Sequence, residues 1–431
     1  MTMPARGRAL VIAVDSWTDA DLALVDGPEI VRALAASPGL RVSPGLVADV
    51  GPALVSLLSL RAPESTGVRT ESPFLTELTG TPHPWRLDDL GEPTLLGLAA
   101  ASGVPAAAIR WPATIGARDG LVLPLVEDLA HHGDRWSMAL AQASPAMATE
   151  HLAPRRASGI RLTAASVDDL ATEVAATLAR PEDPAEVRLL LVRLSALGAV
   201  RRRDGLDTPT ARRALPDTID RLAQILRAFD AGPDDTVLLV PGPPLVAARR
   251  MIHPGTVLAD QGLVESRGPR VVQWSAIVHP AGPMGILRVR TGDDVSRVRA
   301  VEAMSALAHD IGGALLPIEH PPGTPHGWTS SEPVAILVAP EGTVIGPGAT
   351  NRLAVDADDP YWDGPRAVPD AWAPALVRAT GPGVAAEALP SSTGRSRGED
   401  CGTWAGLGHL VARTLGLDPA RAAAARQLSR A

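Results

Sequence analysis

The sequence predicts an α/β sandwich: a mainly parallel central sheet flanked by helices on both faces. Three observations point there. Near-continuous apolar runs, among them ALVIAVD (9–15), VRLLLVRL (187–194) and DTVLLVP (235–241), have the pattern of strands covered on both faces. Amphipathic stretches such as PEIVRALAAS (28–37) and DDLATEVAATLARP (168–181) separate them, the alternation expected of β-α-β units. A chain of 431 residues, 45% of them hydrophobic, can also fill one large core.

The elements follow in order. ALVIAVD is a strand and not a membrane span, because it is short and meets Asp15 at its end. TLLGLAAASG (94–103) is helix-like, and VPAAAIRWP (104–112) is the next strand. Between 118 and 161 the rhythm weakens, which predicts a small cap inserted into a single domain spanning 1–431. In TARRALPDTIDRLAQILRAF (210–229), Ile219, Leu222, Ile225, Leu226 and Phe229 share one helical face, while Pro216 either kinks the helix or marks its start. Pro- and Gly-rich stretches within 355–402 predict a loop or lid.

Composition narrows the chemistry. A formal charge of −8 argues against a nucleic-acid face. The single cysteine, Cys401, rules out an internal disulfide framework or a multi-cysteine metal cage. Lysine is absent, so every fixed cation is an arginine, a bias of GC-rich bacterial genes. No leader or span is read in the first residues, and a cytoplasmic location is expected. Serine-hydrolase elbow, phosphate-binding P-loop, HExxH and dinucleotide glycine motifs do not occur.

Several segments in order resemble the alkaline phosphatase superfamily, and within it the nucleotide pyrophosphatase/phosphodiesterase branch. LVIAVDSWTDADL (10–22) is similar to that family's first strand, which ends in a metal-binding aspartate, here Asp15. RTESPFLTELTG (69–80) resembles the nucleophile segment; counting back from Gly80 gives Thr70, with Ser72 as the fallback. AAAIRWPATIG (106–116) resembles the strand ending in Trp-Pro, here Trp111 and Pro112. HPGTVLADQGLVES (253–266) and TPHGWTSSEPVAILVAPEG (324–342) look like downstream segments, the second placing a last metal histidine at His326. GHLVARTLGLDP (408–419) resembles the closing helix.

The resemblance implies two divalent ions, usually zinc, that lower the pKa of an attacking hydroxyl and neutralise charge on phosphorus. This chain departs from that pattern. Where the family carries an aspartate and a histidine four residues on, it has Gly198 and Arg202. Where the late strand delivers an Asp-His pair, it has Gly242 and Pro243. No cofactor is therefore expected, with zinc at a degenerate site as the alternative. Arg202, helped by Arg201, becomes the candidate anion holder, since a guanidinium binds oxyanions in a bidentate fork; a solvated turn is the competing account of the RRRD cluster (201–204).

His326 is then a candidate general acid or base with Asp15 as its partner, and Thr70 a candidate nucleophile that would look identical as a helix N-cap. Trp17, Trp111 and Trp328 sit near strand tips and could wall the pocket or simply fill the core. Three readings stay open: a metal-independent repurposed enzyme acting on a small anionic or aromatic metabolite in specialised metabolism, a metal-dependent phosphodiesterase with displaced ligands, and a non-catalytic scaffold with a protein partner.

Overall fold

The computed structural model describes residues 7–417, apart from 19, 22–26, 44, 46–48, 72, 75–83, 92, 126–128, 181–186, 268–269, 319–330, 350–351, 383 and 385–401. Strand β1 (Ala9–Val14) is buried along its whole length, as its unbroken apolar run requires. Side chains alternate across a strand, so Ala9, Val11 and Ala13 face one layer of the core while Leu10, Ile12 and Val14 face the other. The same alternation holds in β5 (Leu189–Leu194) and β6 (Thr236–Pro241), which flank β1 in parallel. Around them lie β2 (Gly39–Val42), β3 (Ala106–Trp111) and β4 (Leu121–Pro124).

Helices cover both faces. One layer is built by α2 (Val50–Ser59) and α3 (Leu95–Ala101). The opposite layer takes α1 (Glu29–Ala35), α4 (Val167–Leu178) and the long α6 (Pro209–Phe229), with the short α5 (Ala196–Asp204) leading into it from β5. Helix α6 starts at Pro209, capped by Thr208, and runs on through Pro216. Proline at the first position is favourable there, because its missing N–H would have no partner in the helix anyway.

A second unit follows that the sequence pattern did not separate. Strands β7 (Ala276–Ala281), β8 (Met284–Arg290), β9 (Ala314–Pro317) and β10 (Ser331–Val338) form an antiparallel sheet in the order β7-β8-β10-β9. Helix α7 (Asp294–Ile311) covers it through Ala300, Met304 and Leu307. The chain then returns to the large sheet as β11 (Ala375–Thr380), antiparallel to β2 and β6, and ends its described course in α8 (Trp404–Thr414) against α2. The large sheet has seven strands in the order β2-β11-β6-β1-β5-β3-β4. The segment read as a cap opens with β4, the edge of this sheet, and continues into a helix over Arg135–Gln142. No helix among the described residues is long and apolar enough to cross a membrane.

At the amino-terminal end of β1 the sheet is clamped by Arg8, whose side chain and backbone N–H meet Asp235 at 2.6–3.1 Å. Burial alone would raise the pKa of Asp235, but hydrogen bonds from the Arg8 side chain, the Arg8 N–H and the Gly232 N–H outweigh it and hold the carboxyl below its usual range. A depressed pKa stabilises the folded chain above the unfolded value of about 3.9 and is lost as pH falls through the folded value. Asp235→Ala should destabilise the protein by about 3 kcal/mol in urea unfolding at pH 7, because it strands a buried guanidinium. The difference between native and variant should shrink below pH 4.

Candidate functional site

The carboxyl ends of β1, β5 and β6 meet at one edge of the sheet, where ligands gather in open α/β folds. Parallel register sets Ala13 beside Arg193 and Val14 beside Pro241. Asp15, the first residue past β1, therefore lies level with the end of β5, and its N–H donates to the Leu194 carbonyl at 2.9 Å. The side chain of Asp15 has no solvent exposure. A buried carboxylate without a partner is costly, and Arg193 supplies the partner: Nε reaches Oδ1 at 3.0 Å and Nη2 reaches Oδ2 at 2.8 Å. Burial works against the charged guanidinium, yet Asp15, Glu71 and Asp49 together push its pKa well above the usual arginine value.

A second arginine completes the network. Arg202, near the end of α5, donates to Asp49 Oδ1 at 2.8 Å and to Asp15 Oδ2 at 3.4 Å. Its pKa is raised by Asp49 first, against the effect of burial. Asp49 is also the N-cap of α2, accepting from the Val50 N–H. From the nucleophile-like segment, Glu71 places Oε1 between Arg193 Nη2 (3.2 Å) and the Gly51 N–H (3.1 Å). Three carboxylates thus face two guanidiniums at the strand ends.

The other residues read from the sequence fall as follows. Arg201, one position before Arg202, points elsewhere: it forks onto Asp21 at 2.5 and 2.7 Å and donates to the Ser16 carbonyl, pinning the turn after β1. Ser16 itself has φ 69, so that turn holds a non-glycine residue in the left-handed region. Trp17 is buried beside this turn with its indole N–H unpaired. Trp111 has no exposure and donates to the Leu54 carbonyl at 3.3 Å, which places it in the core beside α2, the core alternative of the sequence reading. Thr70 is buried, its carbonyl accepting from Trp85 Nε1 at 2.9 Å, and it begins no helix, so the N-cap alternative does not apply. His326, Trp328, Ser72 and Cys401 lie outside the described residues.

Sequence reasoning missed Arg193, Glu71, Asp49 and Asp168. Asp168 of α4 accepts from the Ser195 and Ala196 N–H groups at 2.8 and 2.7 Å, anchoring the start of α5, and Arg110 stands 3.6 Å from it. Burial raises the Asp168 pKa despite that guanidinium. The signal that could have found Arg193 was its isolation: one charge inside an otherwise apolar buried strand needs a partner.

These groups do not fit a two-metal centre. Zinc takes about four deprotonated nitrogen, oxygen or sulfur ligands, and the oxygens of Asp15 are already acceptors for arginine. A Cβ at Gly198 would stand 2.6 Å from the Asp15 Cβ, and one at Gly242 only 2.1 Å from Val50 Cγ2. A side chain at either aligned position would require Asp15 or Val50 to shift. Among the described residues no group of three or more His, Cys, Asp or Glu could hold a metal ion.

Two substitutions test this packing. In an ordinary helix Gly→Ala stabilises by about 1 kcal/mol; Gly198→Ala should instead cost about 1–3 kcal/mol, because α5 cannot back away from Asp15 without strain. Arg193→Met should cost about 3–5 kcal/mol, leaving a buried carboxylate with only the longer Arg202 contact. Chemical unfolding of both variants measures each value.

No family model matches the chain, and no curated protein matches it. Solved structures do. Murine ectonucleotide pyrophosphatase/phosphodiesterase 5 is similar over 96% of both chains at 12% identity with a TM-score of 0.56. An inactive form of the murine protein in complex with AMP aligns over 96% of both chains at 13% identity and 0.55. The human protein aligns over 95% of both chains at 12% identity and 0.56. At such identities the likeness is one of architecture, and it agrees with the resemblance carried by the sequence segments: the chain has the alkaline-phosphatase-like fold of the nucleotide pyrophosphatases/phosphodiesterases.

Proposed function

We propose that this chain is a metal-independent, repurposed enzyme of the phosphodiesterase fold, which takes a small anionic metabolite at the carboxyl ends of β1, β5 and β6. The observation that carries the reading is the pair of guanidiniums on Asp15, the aspartate that the resemblance assigns to metal. Arg193 and Arg202 supply there the positive charge that divalent cations supply in a metal-dependent phosphodiesterase. Arginine holds that charge at any working pH and binds oxyanions through a planar fork. That the murine protein forms a complex with AMP supports a small anion as the ligand of this fold.

Within this reading Asp15 holds the guanidiniums in place, its oxygens being engaged by Arg193 and Arg202. Arg202, with its side chain a quarter exposed, makes the direct contact to the incoming anion. Thr70, next in the chain to Glu71, is the hydroxyl nucleophile of this reading, and His326 its proton acceptor or donor. Arg201 supports the site through the turn it pins.

The test is a titration of the purified protein with dimethyl phosphate, with and without a chelator, together with metal analysis. Binding should be unchanged by the chelator, and less than one zinc or manganese ion per chain should be found. Arg202→Ala should weaken dimethyl phosphate about tenfold, the size of one lost charge-assisted contact. Two bound metal ions per chain, with chelator-sensitive hydrolysis of a chromogenic phosphodiester, would contradict the reading.

A further inference from the structure

We propose that Glu71 is a built-in occupant of an anion cradle at this site, and that an external singly charged oxyanion, a carboxylate or a phosphodiester, binds by displacing it. The inference rests on the anion-binding reading above and sharpens its substrate class. One carboxylate oxygen, Oε1, accepts from both Gly51 N–H at 3.1 Å and Arg193 Nη2 at 3.2 Å. Gly51 lies in the first turn of the ten-residue helix α2, so its N–H is among those that no helix carbonyl satisfies, and the helix dipole favours a negative charge there. The cradle is shaped by the missing side chain: a Cβ on Gly51 would stand 2.7 Å from both Cδ and Oε1 of Glu71.

A second observation points to a ligand. The Arg193 side chain is only 3% exposed, and its Nη1 is buried with no hydrogen-bond partner. A donor left over in a buried guanidinium is a costly loss, and it lies on the group that grips Glu71. Glu71, by contrast, is 38% exposed. It reaches the cradle from the solvent side, beside Thr70, and can leave it for water at little desolvation cost.

Charge sets the class of ligand. With Glu71 seated, Asp15, Asp49 and Glu71 outnumber Arg193 and Arg202 by one negative charge. When Glu71 leaves, the remaining four groups are balanced, and a monoanion restores the original state. A dianion such as a phosphate monoester would leave two excess negative charges in a partly buried site, which low effective dielectric penalises. The cradle therefore selects carboxylates and phosphodiesters over phosphomonoesters.

The experiment is calorimetric titration of the native full chain, Glu71→Ala and Glu71→Gln with benzoate, dimethyl phosphate and inorganic phosphate, at pH 7.5 in chelator. Removing the competing carboxylate should tighten the monoanions about tenfold in Glu71→Ala, with inorganic phosphate gaining less. Glu71→Gln, which keeps the shape and loses the charge, should fall between; it also serves if the alanine variant does not fold. Whichever of benzoate and dimethyl phosphate gains more identifies the head group. Equal affinities in native and variants would overturn the displacement and leave the anion reading standing. No binding of any probe to any of the three proteins would overturn both, and an equal gain for inorganic phosphate would overturn the charge selection.

Discussion

A carboxylate with no solvent exposure sits at the tip of the central strand, and the structure around it is arranged to make that tolerable. Asp15 cannot remain charged there without a cation in contact. Arg193 provides one from the adjacent strand, in a position dictated by parallel register, because the residue beside Ala13 is two short of the strand-to-helix junction at Ser195. With the guanidinium in place, α5 can close over the strand end. Gly198 brings the helix backbone against Asp15, and α2 brings Val50 against Gly242. At the two positions where the resemblance expects ligand side chains, an added Cβ would meet Asp15 and Val50.

A guanidinium and a divalent ion differ in what they allow. A metal has open coordination positions and can lower the pKa of a bound hydroxyl or water. Arginine has a fixed set of donors in one plane and stabilises an oxyanion without activating a nucleophile. In the proposed reading, proton transfer at this strand end falls to side chains, and the arginines orient and neutralise. Their carboxylate partners also make the network saturable. Asp49 and Glu71 engage the donors that the proposed ligand would use, so in that reading recognition involves exchange as well as attraction.

Much of this was legible in the sequence, for physical reasons that differ by residue. The strands announced themselves because burial on both faces demands unbroken apolar runs, and Asp15 stood out as the first charge after one of them. Gly198 and Gly242 were visible as substitutions of ligand types by residues without side chains. The partners of Asp15 were less visible. Arg193 looked like one more charge in a strand end, and Arg202 gave no hint of Asp49, which lies 153 positions away. Consecutive helical residues point about 100° apart, so the RRRD cluster could not say that Arg201 would turn to Asp21 while Arg202 turned to Asp15. Trp111 could be read as core or pocket wall, and its complete burial together with its hydrogen bond to the Leu54 carbonyl places it in the core. The antiparallel sheet β7 to β10 escaped notice because its strands are partly exposed and broken by charges such as Arg288, which blurs their period.

The most direct test of the central claim is anomalous X-ray diffraction at the zinc edge from crystals grown with excess zinc. The account predicts Asp15 forked on Arg193, with no anomalous peak within bonding distance of either Asp15 oxygen. A peak coordinated by Asp15 and His326, with Arg193 swung away, would contradict it.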